Sequence, residues 1–128
     1  MNVEVFEVKR GQDFVNQVDR FLLKKKFRHL PAQIQELTED FEKGAFDGEK
    51  ITHRDFPTAY DVYKLRMPNP DTGAGKSNGY RVIYMVVTEK KIVIFLTIYY
   101  KKEDATVSDK YIDGLIDGYF LNSLPEEE

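Results

Sequence analysis

The fold is decided by residues 61–100, which read DVYKLRMPNPDTGAGKSNGYRVIYMVVTEKKIVIFLTIYY. The stretch contains three segments rich in Val, Ile, Tyr and Phe, the residues favoured in β-strands. These predicted strands are Asp61–Met67, Tyr80–Val87 and Ile92–Tyr100. Four residues, 88–91, join the second to the third, which suits a hairpin turn. The link Pro68–Gly79 contains three Gly and two Pro and is predicted to be a loop.

The residues before this stretch predict one short strand and two helices. Alternating apolar residues indicate a strand over Val3–Val8. Over Asp13–Lys26, apolar residues recur with the spacing of one helix face. A second helix begins near Pro31, which suits the first helical position, and Gly44 is a plausible C-terminal cap. The two helices are therefore predicted to form a helical hairpin.

The remaining segments complete the predicted architecture. Gly44–Tyr60 is predicted to be irregular, and Thr106 is the expected N-cap of a last helix. That helix turns five apolar residues inward, namely Ile112, Leu115, Ile116, Tyr119 and Phe120. An acidic flexible tail is expected from about residue 122. The whole chain, residues 1–128, is then a single α+β domain: a helical hairpin packed on a mostly antiparallel sheet, with a C-terminal helix.

Composition excludes several classes of site. The chain has no cysteine, which excludes disulfides, thiolate metal sites and cysteine nucleophiles. Its two histidines, His29 and His53, are far apart in sequence, and no set of metal ligands stands out. The longest apolar run, Ile92–Tyr100, is too short to span a bilayer. We therefore expect a soluble cytoplasmic domain without a bound metal or other cofactor.

Charge is unevenly distributed along the chain. The formal net charge is −3, but residues 61–102 contain eight basic and three acidic side chains, a local charge of +5. The rest of the chain carries −8. A basic middle segment between acidic ends indicates a local site for an anion.

The strongest candidates for that site are cations on neighbouring strands. Lys64 and Arg66 are two residues apart, so they share one face of their strand, and Arg81 lies early in the next strand. Like charges on neighbouring strands repel each other, and a bound phosphodiester would remove that penalty. Arginine can hold a phosphate through two parallel hydrogen bonds, whereas lysine acts as a point charge. An ion pair between Arg81 and Asp109 or Asp113 of the last helix is the alternative.

Two further features are less specific. Tyr99 and Lys101 share a face at the end of the third strand, where an aromatic ring beside a cation suits stacking with single-stranded bases. An ordinary sheet tyrosine and a solubilising lysine would look the same.

Residues 73–77, GAGKS, resemble the end of a phosphate-binding P-loop. Pro70 replaces the required first glycine and a strand follows instead of a helix, so an NTPase is rejected and Lys76 remains a cation on a loop.

Residues 61–103 resemble the RelE-like toxins, most closely the HigB/RelE branch of type II toxin–antitoxin systems. The resemblance is carried by VYKLR at 62–66, GKSNGYRVIY at 75–84 and LTIYYK at 96–101. It implies a RelE/ParE-like fold whose sheet binds mRNA in the ribosomal A site, and a cognate antitoxin as protein partner. It also implies an mRNA interferase, an endoribonuclease in which the RNA 2′-hydroxyl attacks the adjacent phosphate without a metal.

The resemblance also implies roles for single residues. Lys64 matches a general base or charge stabiliser, Arg66 a phosphate ligand, and Arg81 the arginine that stabilises the transition state. Tyr99 and Tyr111 are both candidates for a tyrosine that takes part in proton transfer. The remaining matches are Lys101 as a further catalytic cation, and the RNA contacts Lys76, Lys102 and Tyr84.

Two other classes of function stay open. One is a ParE-like topoisomerase inhibitor or a catalytically inactive RelE-like binding protein, although ParE-like proteins generally lack the basic site. The other is an adaptor that binds nucleic acid without cutting it. RelE-like toxins are usually basic overall, whereas this chain is acidic, which predicts weak affinity for the ribosome.

Overall fold

The computed structural model describes residues 5–55, 58–104 and 106–123. The main elements in chain order are β1 (Glu7–Arg10), α1 (Gln12–Leu23), α2 (Leu30–Glu42), β2 (Glu49–Arg54), β3 (Tyr60–Met67), β4 (Tyr80–Val87), β5 (Ile92–Tyr100) and α3 (Asp109–Ser123). The strands form one sheet in the order β1-β5-β4-β3-β2. Only the pairing of β1 with β5 is parallel among these strands. The predicted α+β class and mostly antiparallel sheet are confirmed.

Three predicted segments differ from the structure. The first strand is Glu7–Arg10 rather than Val3–Val8, and residues 3 and 4 of the predicted range lie outside the described part. The first helix ends at Leu23, and Lys26 has a left-handed backbone (φ 61°) that a helix cannot contain. The prediction that Gly44–Tyr60 is irregular was wrong, because β2 pairs there with β3. The predicted tail falls mainly on residues 124–128, which are outside the described residues.

The two faces of the sheet bury separate apolar clusters. One face carries Tyr80, Val82 and Tyr84 of β4 and packs against α1 and α2. The other face carries Ile83, Met85 and Val87 of β4 and packs against α3. The apolar cluster against α3 includes the beginning of β3 and the end of β4. Arg66 and Arg81 lie at the other end of these two strands, where β3 ends and β4 begins. None of the described helices is long and apolar enough to cross a membrane.

The start of α3 yields a first prediction. Ser108 precedes the helix, and its Oγ accepts a hydrogen bond from the backbone N–H of Tyr111 (3.1 Å), as an N-cap does. The prediction of Thr106 as the cap was wrong, because Thr106 instead accepts a hydrogen bond from Lys101 Nζ (3.2 Å). We expect Ser108→Ala to lower the free energy of unfolding by about 1 kcal/mol. Thr106→Ala should change it by less than half of that. Denaturant unfolding measures both, and equal losses would contradict this assignment of the cap.

The loop end of β2 yields a second prediction, on pH. His53 Nδ1 lies 2.6 Å from Asp61 Oδ1, and its Nε2 lies 2.6 Å from Asp55 Oδ1. These hydrogen bonds, the one to Asp61 first, raise the pKa of His53 above its ordinary value of 6.5. The protonated form therefore stabilises the fold fully below pH 6.5, and this contribution is lost as the pH rises through the raised pKa. NMR titration should show a midpoint above 6.5 that Asp61→Asn lowers more than Asp55→Asn. His29→Gln assigns the signals, and a wild-type midpoint at or below 6.5 would contradict the prediction.

Candidate nucleic-acid interface

The strand register places the two predicted arginines directly opposite each other. Arg66 of β3 pairs with Arg81 of β4, and Arg81 pairs in turn with Tyr99 of β5. Directly opposed residues on antiparallel strands have Cβ atoms about 5 Å apart. The three residues therefore lie side by side across the sheet: Tyr99 is buried in the cluster that packs against α3, Arg81 is buried, and Arg66 is exposed.

Three cations line one cavity beside this row. Lys64, Arg66 and Lys76 border a cavity of about 320 Å³. Arg66 and Lys76 also border an adjoining cavity of about 280 Å³ next to α2. Within the described ranges, none of these three cations forms an ion pair. The arrangement therefore suits a ligand that brings its own negative charge.

Arg81 has a different environment from the one expected of a residue on an open face. Its side chain is buried, with only 5% of the residue exposed. Its guanidinium donates to the carbonyl oxygens of Lys76 (2.8 Å), Ser77 (2.8 Å) and Tyr80 (3.2 Å). Neither Asp109 nor Asp113 pairs with it, so the alternative of an ion pair with the last helix is wrong. Burial, and then the nearby charge of Arg66, lower the pKa of Arg81.

Tyr84 lies on the other face of the sheet. It is fully buried beneath the helices, and its ring stacks on Tyr63 with centroids 5.1 Å apart. Its hydroxyl donates to the carbonyl oxygen of Asp47, and burial raises its pKa. The prediction that Tyr84 contacts RNA was therefore wrong. Odd and even positions of β4 point to opposite faces, and Tyr84 shares the face of Tyr80 and Val82.

The two candidate tyrosines line a separate cavity of about 500 Å³ beyond the edge of β5. Tyr99 is buried there, which raises its pKa. Tyr111 is half-exposed, and its hydroxyl donates to Asp13 Oδ1 (2.5 Å). That hydrogen bond raises the pKa of Tyr111 to about 12. Asp13 also accepts a hydrogen bond from Thr97 Oγ1 (2.6 Å). The phenol of Tyr111 therefore stays protonated to a higher pH than that of an ordinary tyrosine.

The basic end of β5 lies close to the loop that carries Lys76. The backbone N–H of Lys101 donates to the carbonyl oxygen of Gly79 (2.8 Å). The side chains of Lys101 and Lys102 are both exposed. The structure thus places both lysines at the same end of the sheet as Arg66 and Arg81.

Two carboxylates of the site were missed from the sequence. Asp47 and Glu49 border the same cavity as the three cations, and Glu49 pairs directly with Lys64 across β2 and β3. The sequence does not indicate them because Gly48 and Pro57 predict an irregular segment, although Ile51 and Thr52 between them are residues typical of a strand. Across the described part of the chain, no group of three or more His, Asp or Glu side chains is arranged to hold a metal ion.

Comparisons with known proteins find similarity at the level of structure. No protein-family model matches the chain, and no curated protein matches it. It is similar to RelE in the RelE–RelB complex from Pyrococcus horikoshii OT3, with 22% identity and a TM-score of 0.47 over 78% of this chain and 99% of that chain. It is also similar to the isolated Escherichia coli RelE toxin, with 20% identity and a TM-score of 0.43 over 88% of this chain and 97% of that chain. Both structures are similar to this chain at low identity, and neither distinguishes the HigB branch.

Proposed function

We propose that this protein is the toxin of a type II toxin–antitoxin system and acts as a ribosome-dependent mRNA endoribonuclease. The observation that carries the proposal is a group of three cations that border a single cavity and form no ion pair with any other described residue, namely Lys64, Arg66 and Lys76. Three cations outnumber the two carboxylates, Asp47 and Glu49, that border the same cavity, and this positive balance suits a phosphodiester, which accepts hydrogen bonds from cations. The sequence resemblance to RelE-like toxins supplies the expected substrate, mRNA in the ribosomal A site, and the expected partner, a cognate antitoxin.

The proposed reaction is an internal displacement on RNA. The 2′-hydroxyl oxygen forms a bond to the adjacent phosphorus, and the bond from phosphorus to the 5′ oxygen of the next nucleotide breaks. The products are a 2′,3′-cyclic phosphate and a free 5′-hydroxyl. Arg66 and Lys64 stabilise the charge that develops on the phosphate oxygens. Asp47 and Glu49 bring carboxylates to the same cavity, where one takes the proton of the 2′-hydroxyl and returns it to the leaving 5′ oxygen.

The proposal is tested by inducing the protein in a bacterium that carries one translated and one untranslated reporter message. We expect growth arrest and new 5′ ends on the translated message only. The double variant Lys64→Ala/Arg66→Ala should produce neither. The matched control is Lys9→Ala/Arg54→Ala, which removes two exposed cations from the edge strands β1 and β2 and should act like the wild type.

Other outcomes would contradict the proposal in distinguishable ways. Growth arrest with intact messages would favour a ParE-like topoisomerase inhibitor. Normal growth with a soluble, folded wild-type protein would favour an inactive relative that only binds. New ends on both reporters would show a ribonuclease that does not depend on the ribosome.

A further inference from the structure

The guanidinium of Arg81 is occupied by the protein's own backbone. Nη1 donates to the carbonyl oxygens of Lys76 and Tyr80, and Nη2 donates to that of Ser77. Buried charged groups are stable only when their hydrogen bonds are satisfied, and these three carbonyls satisfy most of this group's donors. Two of the three acceptors belong to the loop between β3 and β4. The side chain therefore ties that loop to the sheet.

The tied loop delivers another cation to the site. Lys76 is exposed, and its side chain borders both cavities that Arg66 borders. The loop is closed a second time at Gly79, whose carbonyl oxygen accepts a hydrogen bond from the backbone N–H of Lys101. The backbone of Lys76 is thus held directly by Arg81 and, three residues later, by the end of β5.

We propose that Arg81 is a positioning residue that acts through Lys76, and that Lys76 rather than Arg81 makes the contact with the RNA phosphate. The inference rests on the proposed function, because it assigns the roles of two residues at the same phosphate site. Exposure supports this division, since Arg81 is 5% exposed as a residue, whereas Lys76 is exposed. Geometry supports it too, because both terminal nitrogens of Arg81 already donate to backbone carbonyl oxygens.

The salt dependence of RNA binding separates positioning from direct contact. The slope of log K against log salt is negative, and on single strands each lost phosphate contact reduces its magnitude by about 0.7. If Arg81 acts through Lys76, then Lys76→Ala, Arg81→Ala and the double variant all reduce the magnitude of the slope by the same amount, that of one phosphate contact. If both residues touch phosphate, the double variant loses two steps. Affinities should show the same pattern, with the double variant no weaker than either single variant.

The experiment measures binding of a fluorescent 2′-O-methyl oligoribonucleotide, which cannot be cleaved by the proposed reaction, by anisotropy over a range of salt concentrations. Arg81→Lys is the second variant. It keeps the positive charge but has a single nitrogen, which cannot span the two loop carbonyls as the guanidinium does. We expect Arg81→Lys to lose the same step as Arg81→Ala, and Arg54→Ala to keep the wild-type slope. If Arg81→Ala fails to show cooperative unfolding, Arg81→Lys carries the comparison.

Three results would overturn the inference. They are two additive steps in the double variant, a wild-type slope in Arg81→Lys, and a wild-type slope in Lys76→Ala. A wild-type protein that does not bind the oligonucleotide would overturn it as well. Failure of the proposed function alone is seen separately, as intact reporter messages after induction of the wild-type protein.

Discussion

Replacing Arg66 by alanine is expected to lower the rate of mRNA cleavage by about 100-fold or more, the usual cost of removing one donor to a developing oxyanion. Arg66 borders both cavities of the site, is exposed, and forms no ion pair within the described residues. Its loss therefore removes a phosphate ligand without exposing a buried partner. The rate is measured as single-turnover cleavage of a message on programmed ribosomes.

Two variants make this measurement specific. Arg66→Lys should fall between Arg66→Ala and the wild type, because lysine keeps the charge and loses the bidentate geometry. Arg54→Ala removes an exposed arginine from the far end of β2, where it pairs with Tyr60, and should cleave at the wild-type rate. Cleavage by Arg66→Ala within a few-fold of the wild-type rate would remove Arg66 from the site.

Replacing Gly79 by alanine is expected to destabilise the fold by at least about 3 kcal/mol, at the upper end of the cost of overpacking. A Cβ at Gly79 would lie 2.2 Å from the carbonyl oxygen of Met67 and 2.9 Å from the Cα of Pro68. Both are backbone atoms, so a change of side-chain rotamer cannot relieve the clash. The end of β3 or the start of β4 must move instead. Denaturant unfolding followed by circular dichroism measures the loss.

A matched control lies in the same loop. Gly75→Ala adds the same methyl group at a position where the new Cβ would have no described neighbour within 4 Å. It should change the free energy of unfolding by less than about 0.5 kcal/mol. Equal effects of the two substitutions would show that the close packing at Gly79 does not limit stability. Because this loop carries Lys76, Gly79→Ala should also weaken RNA binding under conditions in which it remains folded.

Much of the architecture could be predicted because local patterns and tertiary packing agree. The strands around Val82 and Phe95 are apolar on both faces, and the structure covers both faces of the sheet with helices. Strand β2 could not be predicted in the same way. Its residues are exposed or half-buried, and it exists through its pairing with β3 rather than through an apolar face. Propensity in such edge strands is weak and depends on context.

The site shows the same division. The spacing of Lys64 and Arg66 placed them on one face of a strand, because side chains alternate along a strand with a period of two. The face of Tyr84 required knowing which side of β4 the helical hairpin covers, and the inclusion of Asp47 and Glu49 required the pairing of β2 with β3. Neither follows from local spacing.

The sequence by itself determined the order of helices and strands, the α+β class and the concentration of positive charge in residues 61–102, since these depend on local periodicity and composition. Only the tertiary structure decided that Arg66 faces Arg81 across two strands and that Arg81 is buried on loop carbonyls while Lys76 is presented to solvent. The physical reason is that strand register and loop closure are set by contacts between residues distant in sequence, which a local pattern does not encode.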